Sequence, residues 1–305
     1  MTSQANPIGS QRAGRMTDIG LLLVLAVLWG GSYTFIKIGV ATIPPLTLIA
    51  ARTLLAGAVL LAVARFRGLS LPRDRKNWGR FAIQAVLNSV VPFTLIAWAE
   101  LSVEAGLATI LSSTSPIFVV LLSLASTSET RIGPLKLVAV AAGLAGTVLI
   151  VGVESMSGLG TQLAAQLALV AASLCYAGAA LFGRQFKGLD PIMPAAGSLI
   201  CGAVILAPAS LVVDKPWTLT PSAASLAALL ALSLVSTALA FVIYFRLIAR
   251  IGSVATTSVA YLRVATGVGI GMIVLGERLA ATAWIGLLLI MAGVVAMTLP
   301  SRSGR

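Results

Sequence analysis

Long apolar runs are the feature that most constrains how this chain can fold. Ten stretches of mostly apolar residues follow one another, each close to the roughly 20 residues that a helix needs to cross a bilayer. Hydrophobic residues make up 58% of the chain and charged residues 10%, whereas about 25% of the residues in soluble domains are charged. The sequence therefore predicts an all-α membrane protein with ten transmembrane helices. The predicted spans are 18–38, 46–66, 79–100, 104–126, 133–152, 161–183, 191–212, 222–246, 252–274 and 280–299.

The basic residues indicate which side of the membrane each connection faces. Of the 21 Lys and Arg residues, sixteen fall on one side of the predicted spans, Lys215 and Arg278 fall on the other, and three lie within spans. Cytoplasmic connections carry the excess of basic residues, so both termini are predicted to be cytoplasmic. The polar residues 1–17 are predicted to form a disordered cytoplasmic N-terminus, and residues 300–305 a cytoplasmic tail.

Two halves of the chain repeat each other in hydropathy. "LAGTVLIV" at 144–151 corresponds to "MAGVVAMT" at 291–298, and the apolar stretch 45–64 aligns with 191–210. A third match joins "SPIFVVLLSLASTSET" to "RVATGVGIGMIVLGER".

Each predicted half holds an odd number of spans. The first half covers 18–152, the second covers 161–299, and a periplasmic linker of 153–160 joins them. With five spans in each half, the second copy must enter the membrane in the inverted orientation. Inverted repeats are typical of transporters that bind substrate near the bilayer midplane.

Several classes of function are excluded by missing residue types. The chain has no histidine, which removes zinc proteases of the HExxH type and Ser-His-Asp hydrolases. It has no P-loop, and its only cysteines, Cys175 and Cys201, lie in apolar runs and are predicted to be free. The net charge of +12 is explained by membrane topology, because no Lys/Arg-rich face for nucleic acid is present. We expect no cofactor and no metal.

Five stretches resemble one known transporter family. They are "LWGGSYTFIKIG", "IPPLTLIAARTLLAG", "LIAWAELSVEAGLATILSSTSPIF", "STALAFVIYFRLIARIGSVATTSVAYL" and "LGERLAATAWIGLLLIMAGVV". The chain resembles the bacterial EamA-type ten-helix exporters of the drug/metabolite transporter superfamily over nearly its whole length. The resemblance implies export of amino acids and related small metabolites. Two positions depart from the family pattern: Arg263 stands where an apolar residue is usual, and Val264 where a proline is frequent.

Arg263 is the most informative polar residue, because it lies near the middle of a predicted span. An arginine that faced lipid at that depth would be costly, so it must face protein or water. One hypothesis is a clamp for a carboxylate or phosphate, since guanidinium offers a planar fork of donors. The alternative is a structural arginine bonded to carbonyl or hydroxyl groups of neighbouring helices.

Other polar and aromatic residues inside the spans complete the predicted substrate site. Amphipathic rings that line a transport route would suit a substrate with an apolar side chain, although each could also be an ordinary packing residue. Trp98 is predicted to be either a gate or an interfacial residue. With Arg263, the predicted substrate-binding residues are Trp29, Tyr33, Asn88, Trp98, Tyr176, Ser236, Tyr244 and Tyr261.

Two further cations within spans are left out of the predicted site. Arg52 matches an arginine usual in the resembled family and is predicted to be structural. Lys37 lies near the end of the first span, from which its side chain can extend to the interface.

All nine acidic residues fall at span ends or in loops of the predicted topology. No midspan proton carrier of the usual kind is therefore predicted. We expect transport driven by the substrate gradient, with proton coupling as the alternative.

Three other functions compete with export of amino acids. A multidrug or nucleotide-sugar type carrier is the nearest alternative, an intramembrane enzyme lacks a catalytic motif, and a membrane subunit without transport activity is the third. The expected partners are a small-molecule substrate and the lipid bilayer, without nucleic acid, and the chain is expected to act as a monomer.

Overall fold

A computed structural model describes residues 7–125, 134–155, 160–257 and 259–298. All regular structure in these residues is helical, as the apolar runs predict. The α-helices are α1 (Pro7–Val40), α2 (Pro45–Phe66), α3 (Arg75–Ala85), α4 (Val91–Ala99), α5 (Ala105–Ser112), α6 (Ser115–Ala125), α7 (Pro134–Ser155), α8 (Gly160–Phe182), α9 (Ile192–Val213), α10 (Ala223–Ser233), α11 (Ala240–Thr257), α12 (Val259–Ile270) and α13 (Ala281–Thr298).

Seven helical stretches among the described residues are long and apolar enough to cross a membrane. They are Met16–Val40, Pro45–Phe66, Arg75–Ala99, Ala105–Leu122, Gln162–Phe186, Ile192–Val213 and Ala223–Ile248. Three shorter apolar stretches accompany them, Val140–Ile150, Leu262–Leu275 and Ala281–Ala292. Large apolar side chains such as Ile273, Val212 and Leu288 are mostly exposed on these helices, which suits a surface covered by lipid acyl chains.

Predicted spans 79–100, 104–126, 222–246 and 252–274 are not single straight α-helices: α5 and α6 are separate helices within 104–126, and a π-helical turn at Gly271–Leu275 ends 252–274. Predicted span 79–100 consists of α3, a π-helical turn at Val86–Val90 and α4. A π-helical turn at Leu234–Leu239 joins α10 to α11, and it begins 148 residues after the turn at Val86–Val90. These two turns therefore occupy equivalent positions in the repeats. π-Helical turns are rare and frequently lie at functional sites.

Two predicted boundaries are wrong. Residues 7–17 were predicted to be disordered but belong to α1, which Pro7 can begin because the first turn of a helix does not use its N–H groups. Residues 247–251, predicted to connect two spans, are helical within α11, and no proline or glycine interrupts them. The predicted tail 300–305 and most of the predicted linker 153–160 lie outside the described residues.

Two of the helix pairs that carry the sequence repeat pack directly against each other. α2 lies along α9, and α7 lies along α13. In the second pair the backbones approach closely, because a Cβ atom on Gly146 would lie 2.7 Å from the carbonyl oxygen of Gly286. This pairing of equivalent helices fits a pseudo-twofold arrangement of the two halves.

A second close contact joins α1 to α12. A Cβ atom on Gly30 would lie 2.2 Å from the Thr266 Oγ1 atom and 2.8 Å from the backbone nitrogen of Gly267. On the other side, a Cβ atom on Gly267 would lie 2.6 Å from the Thr109 methyl group of α5. Small residues thus bring α1, α5 and α12 together, and this places Arg263 of α12 beside α1.

Candidate functional site

Three side chains on one face of α1 organise the interior at successive levels. Trp29, Tyr33 and Lys37 are each four residues apart, so they lie above one another along the helix. With a rise of about 1.5 Å per residue, neighbouring levels are separated by about 6 Å. Each side chain makes its main contacts with different helices. We call the three heights along α1 the Trp29 level, the Tyr33 level and the Lys37 level.

At the Tyr33 level, α1, α5 and α12 meet through polar groups. The Tyr33 hydroxyl lies 2.5 Å from the Ser112 Oγ atom. The Arg263 Nη2 atom donates to the Ser112 carbonyl oxygen and to the Ser113 Oγ atom, both at 3.1 Å. Because α5 ends at Ser112, the guanidinium lies at the negative end of that helix dipole.

Arg263 is only partly satisfied by these contacts. Its Nε atom is buried and has no hydrogen-bond partner among the described residues, and its guanidinium carbon lies 5.8 Å from the centre of the Tyr33 ring. No acidic side chain in the described part of the chain forms an ion pair with it. The bonds to a carbonyl and a hydroxyl are those expected of a structural arginine. The positive charge, which no carboxylate of the described residues neutralises, is at the same time available to bind an anion.

Arg52 contributes a second guanidinium to the same region. Its Nε atom donates to the Thr237 Oγ1 atom at 2.7 Å, and its guanidinium carbon lies 3.6 Å from the centre of the Phe93 ring. The Phe93 ring in turn contacts Tyr176 edge to face, with 6.5 Å between ring centres. These bonds support the structural role predicted for Arg52.

Packing joins these groups into one cluster. Tyr33, Phe93 and Tyr176 belong to the same hydrophobic core, with Arg52 on the Phe93 ring and Arg263 near the Tyr33 ring. We call Tyr33, Arg52, Phe93, Tyr176 and Arg263 the central cluster. The sequence predicted three of these residues as site residues. It named Arg52 without including it, and it missed Phe93, which carries no signal beyond apolarity.

The π-helical turns at Val86–Val90 and Leu234–Leu239 hold two further predicted residues. Ser236 lies in the second turn, is fully buried, and has an Oγ atom without a hydrogen-bond partner among the described residues. Asn88 lies half-buried in the first turn. Thr237, which accepts the bond from Arg52, lies next to Ser236, so the second turn contacts the central cluster directly.

The Trp29 level is aromatic. The rings of Trp29 and Tyr244 are tilted by 50° with 5.1 Å between their centres, and Tyr244 also contacts Phe245. Two predicted site residues remain, Trp98 and Tyr261. Trp98 is 45% exposed on α4, which suits an interfacial residue better than a gate. Tyr261 belongs to α12, but its side chain lies outside the part of the chain that the structure describes.

The Lys37 level closes this end of the molecule by capping two helices. Lys37 was expected to extend toward the interface, but its Nζ atom donates to the carbonyl oxygens of Glu100 at 2.6 Å and Val103 at 2.8 Å. The Glu277 carboxylate accepts from the backbone N–H groups of Ala105 at 2.7 Å and Gly106 at 2.8 Å. We call these contacts the Lys37–Glu277 closure, which joins the two halves of the chain.

Comparison with known proteins places both halves in one family. The EamA-like transporter family matches residues 16–152 and again residues 163–299. The chain is 30% identical over 280 residues to the uncharacterized inner membrane transporter YedA of Escherichia coli strain K12, covering 92% of this chain and 90% of that protein. It is 25% identical over 275 residues to the uncharacterized transporter YoaV of Bacillus subtilis strain 168, covering 90% and 94% of the two chains.

A solved structure shares the fold. It is a crystal structure with a TM-score of 0.66 that covers 95% of this chain and 99% of the matched chain. At 20% sequence identity, this similarity concerns the architecture alone.

Proposed function

Because this chain belongs to the EamA-like transporter family, we propose that it exports amino acids and related small metabolites by alternating access. The substrate binds between the two halves of the chain, at the central cluster. The chain is a multi-pass protein of the inner membrane, like its relative YedA. The transported molecule and the direction of transport are the parts of the proposal that experiment must establish.

The proposed topology has ten spans in two inverted five-helix repeats, 18–152 and 161–299, with both termini in the cytoplasm. It is supported by the distribution of basic residues and by the packing of α2 on α9 and of α7 on α13. In this orientation the Trp29 level faces the cytoplasm and the Lys37 level faces the periplasm. The chain is then closed on its periplasmic side by the Lys37–Glu277 closure.

Arg263 is the single observation that carries the proposed substrate class. It is a permanent cation with a buried, unpartnered Nε atom, and it has no ion-pair partner in the described part of the chain. A guanidinium in low-dielectric surroundings binds a carboxylate or phosphate through charge-assisted hydrogen bonds. The substrate we propose therefore carries an anionic group, which amino acids supply as their carboxylate.

The aromatic residues supply the other half of the proposed recognition. Tyr33 lies near Arg263, Tyr176 contacts the Phe93 ring on which Arg52 lies, and the Trp29–Tyr244 pair lies one turn away along α1. Such rings contact apolar or aromatic side chains over a large area. We therefore expect amino acids with apolar side chains to be bound more tightly than small polar ones.

A carrier for nucleotide sugars or other phosphorylated metabolites is the second candidate. The central cluster holds two guanidinium groups, Arg52 and Arg263, and a phosphate offers more acceptor oxygens to them than a carboxylate does. The same pair of cations makes a purely cationic drug a poor substrate. We also propose that the protein acts as a monomer and is driven by the substrate gradient.

Counterflow into proteoliposomes tests the proposed function. The purified protein is reconstituted, the vesicles are loaded with one unlabelled candidate, and uptake of the labelled compound is followed. We expect exchange of apolar amino acids, faster than exchange of the matched amines that lack the carboxylate. Exchange of phosphorylated compounds without amino acids would favour the second candidate, and absence of exchange for both classes would contradict the proposal.

A further inference from the structure

The Glu100 side chain is a buried carboxyl group that accepts no hydrogen bond within the described part of the chain. It follows α4 and is 0% exposed, and neither of its carboxylate oxygens has a hydrogen-bond partner among the described residues. The sequence placed it at the end of a predicted span. The turn between α4 and α5 and the packing of α1 enclose it.

Three charged groups of the described residues act on the Glu100 carboxyl, and all three are engaged with other atoms. These groups are Lys37, Glu277 and Arg52. Lys37 donates to the backbone oxygens of Glu100 and Val103, and Glu277 caps the N-terminus of α5. Arg52 donates to Thr237 and lies on Phe93. None of the cations forms an ion pair with the Glu100 carboxylate in the described part of the chain.

A buried carboxylate without donors is strongly disfavoured in its ionised form. Removing a carboxylate from water without compensating hydrogen bonds or a counter-ion costs several kcal/mol, and such a group takes up a proton instead. In the conformation with the Lys37–Glu277 closure formed, the Glu100 side chain is therefore a neutral acid. Opening the closure would separate α1, α5 and the Glu277 segment and would admit water to the carboxyl group.

We propose that Glu100 is a proton-binding site that controls the periplasmic closure of the transporter. A proton from the periplasmic solution binds a carboxylate oxygen as the closure forms and returns to that solution as the closure opens. No other bond is made or broken. The inference rests on the proposed alternating access and orientation, and it adds a regulatory site that the substrate does not touch.

The location of the site predicts pH control without proton transport. Glu100 exchanges protons only through the Lys37 level, so each transport cycle returns the proton to the side from which it came. Acidic periplasmic pH then favours the closed form and slows export, while alkaline pH favours opening. With one proton involved, the equilibrium changes by at most about tenfold per pH unit.

Cysteine accessibility at Val103 tests the proposal without knowledge of the substrate. Val103 is 4% exposed and lies in the closure, so Val103→Cys should react with a membrane-impermeant maleimide only when the closure opens. The rate is measured from the periplasmic side from about pH 5 to about pH 8, a range above the usual Glu pKa of about 4.3, in which only a carboxyl group that is disfavoured in its ionised form would titrate. The parent protein, with Cys175 and Cys201, provides the background, and an added Glu100→Gln substitution provides the control for the pH dependence of thiol chemistry.

We expect labelling of Val103→Cys to rise with pH much more steeply than labelling of Val103→Cys/Glu100→Gln, by up to about tenfold per pH unit. The exposed Glu104 offers a matched control, and Glu104→Gln should leave the steep dependence intact. Equal pH profiles with and without Glu100→Gln would overturn the proposal. This result leaves the proposed function untouched, because counterflow of substrates reports that function separately.

Two further measurements keep the test independent of the cysteine variant. The melting temperature of the purified protein should fall as pH rises, because ionisation of Glu100 destabilises the closed form, and Glu100→Gln should remove this fall. Proton movement is followed with an entrapped pH dye during counterflow. Stoichiometric proton movement that Glu100→Gln abolishes would overturn the proposal that Glu100 only controls the closure, because Glu100 would then couple proton transport to substrate transport.

Discussion

The guanidinium of Arg263 donates a hydrogen bond to the carbonyl oxygen of Ser112, 151 positions earlier in the chain. The bond joins α12 of the second half to the last residue of α5 in the first half. Arg263 therefore holds the two halves together at the level where the central cluster lies. A substrate anion that binds Arg263 would compete with this bond, which couples substrate binding to the contact between the halves.

Replacing Arg263 separates the two hypotheses for this residue. If it binds the substrate anion, Arg263→Ala should raise the KM for carboxylated substrates by about ten- to hundredfold, the value of one or two charge-assisted hydrogen bonds. Counterflow of the matched amines should change little. Arg263→Lys should restore only part of the affinity, because an ammonium group lacks the planar fork.

A purely structural Arg263 would give a different pattern. Arg263→Ala would then lower the melting temperature and impair all substrates alike, carboxylated or not. Measuring both quantities on the same preparation distinguishes the two outcomes.

Arg52 and Phe93 should be energetically coupled. The guanidinium carbon of Arg52 lies 3.6 Å from the centre of the Phe93 ring in a buried site, where such contacts contribute about 2 kcal/mol. A double-mutant cycle with Arg52→Met and Phe93→Leu, followed by denaturation in detergent, should show this coupling. Trp98, an exposed aromatic on the same helix, is the control, and Trp98→Leu should be additive with Arg52→Met. Additivity at Phe93 would contradict the structural role of Arg52.

Hydropathy and charge predicted the helical membrane architecture because both depend on composition over long windows. The repeat also predicted which helices are equivalent, and α2 with α9 and α7 with α13 are found in contact. Helix ends were less predictable. The predicted span ended at residue 246, whereas α11 continues to Thr257 and α12 begins after it. A helix can continue beyond the membrane boundary, so hydropathy alone does not locate its end.

The sequence predicted only those site residues whose residue type is unusual inside an apolar span. Arg263, Tyr33 and Tyr176 are unusual within apolar runs, and the structure brings all three to the central cluster. Glu100 gave no such signal, since a carboxylate at a span end is ordinary. Its burial arises from α1 and α5 packing around the turn that holds it, and such tertiary packing is invisible in local sequence.

The proposed topology can be tested at two connections with unusual backbone. Gly188 and Lys215 both have positive φ values, 91° and 50°, as expected in tight turns between helices. Fluorescent-protein fusions ending after Gly188 should fluoresce, because that connection is predicted to be cytoplasmic. Alkaline phosphatase fusions ending after Lys215 should be active, because that connection is predicted to be periplasmic. The reverse pattern would mean that the Trp29 level faces the periplasm and the Lys37 level faces the cytoplasm.

Gly30 should tolerate no side chain, whereas its neighbour Gly31 should. A Cβ atom on Gly30 would lie 2.2 Å from Thr266 Oγ1, 2.8 Å from the Gly267 nitrogen and 3.0 Å from the Arg263 carbonyl oxygen. Two of these atoms are backbone and cannot rotate away, so α1 and α12 must separate. We expect Gly30→Ala to destabilise the protein by about 1–3 kcal/mol, the usual cost of overpacking. A Cβ atom on Gly31 would meet nothing closer than Ile270 Cδ1 at 3.6 Å.

The variants at Gly30 and Gly31 also test how helix packing affects transport. Because the separation of α1 from α12 would displace Arg263, Gly30→Ala should reduce counterflow as well as the melting temperature, while Gly31→Ala should preserve both. Glycine and alanine differ similarly in helix propensity at the two positions, so that term cancels in the comparison. Equal melting temperatures for the two variants would mean that α1 and α12 are not packed backbone to backbone, and the proximity of Tyr33 to Arg263 would lose its structural basis.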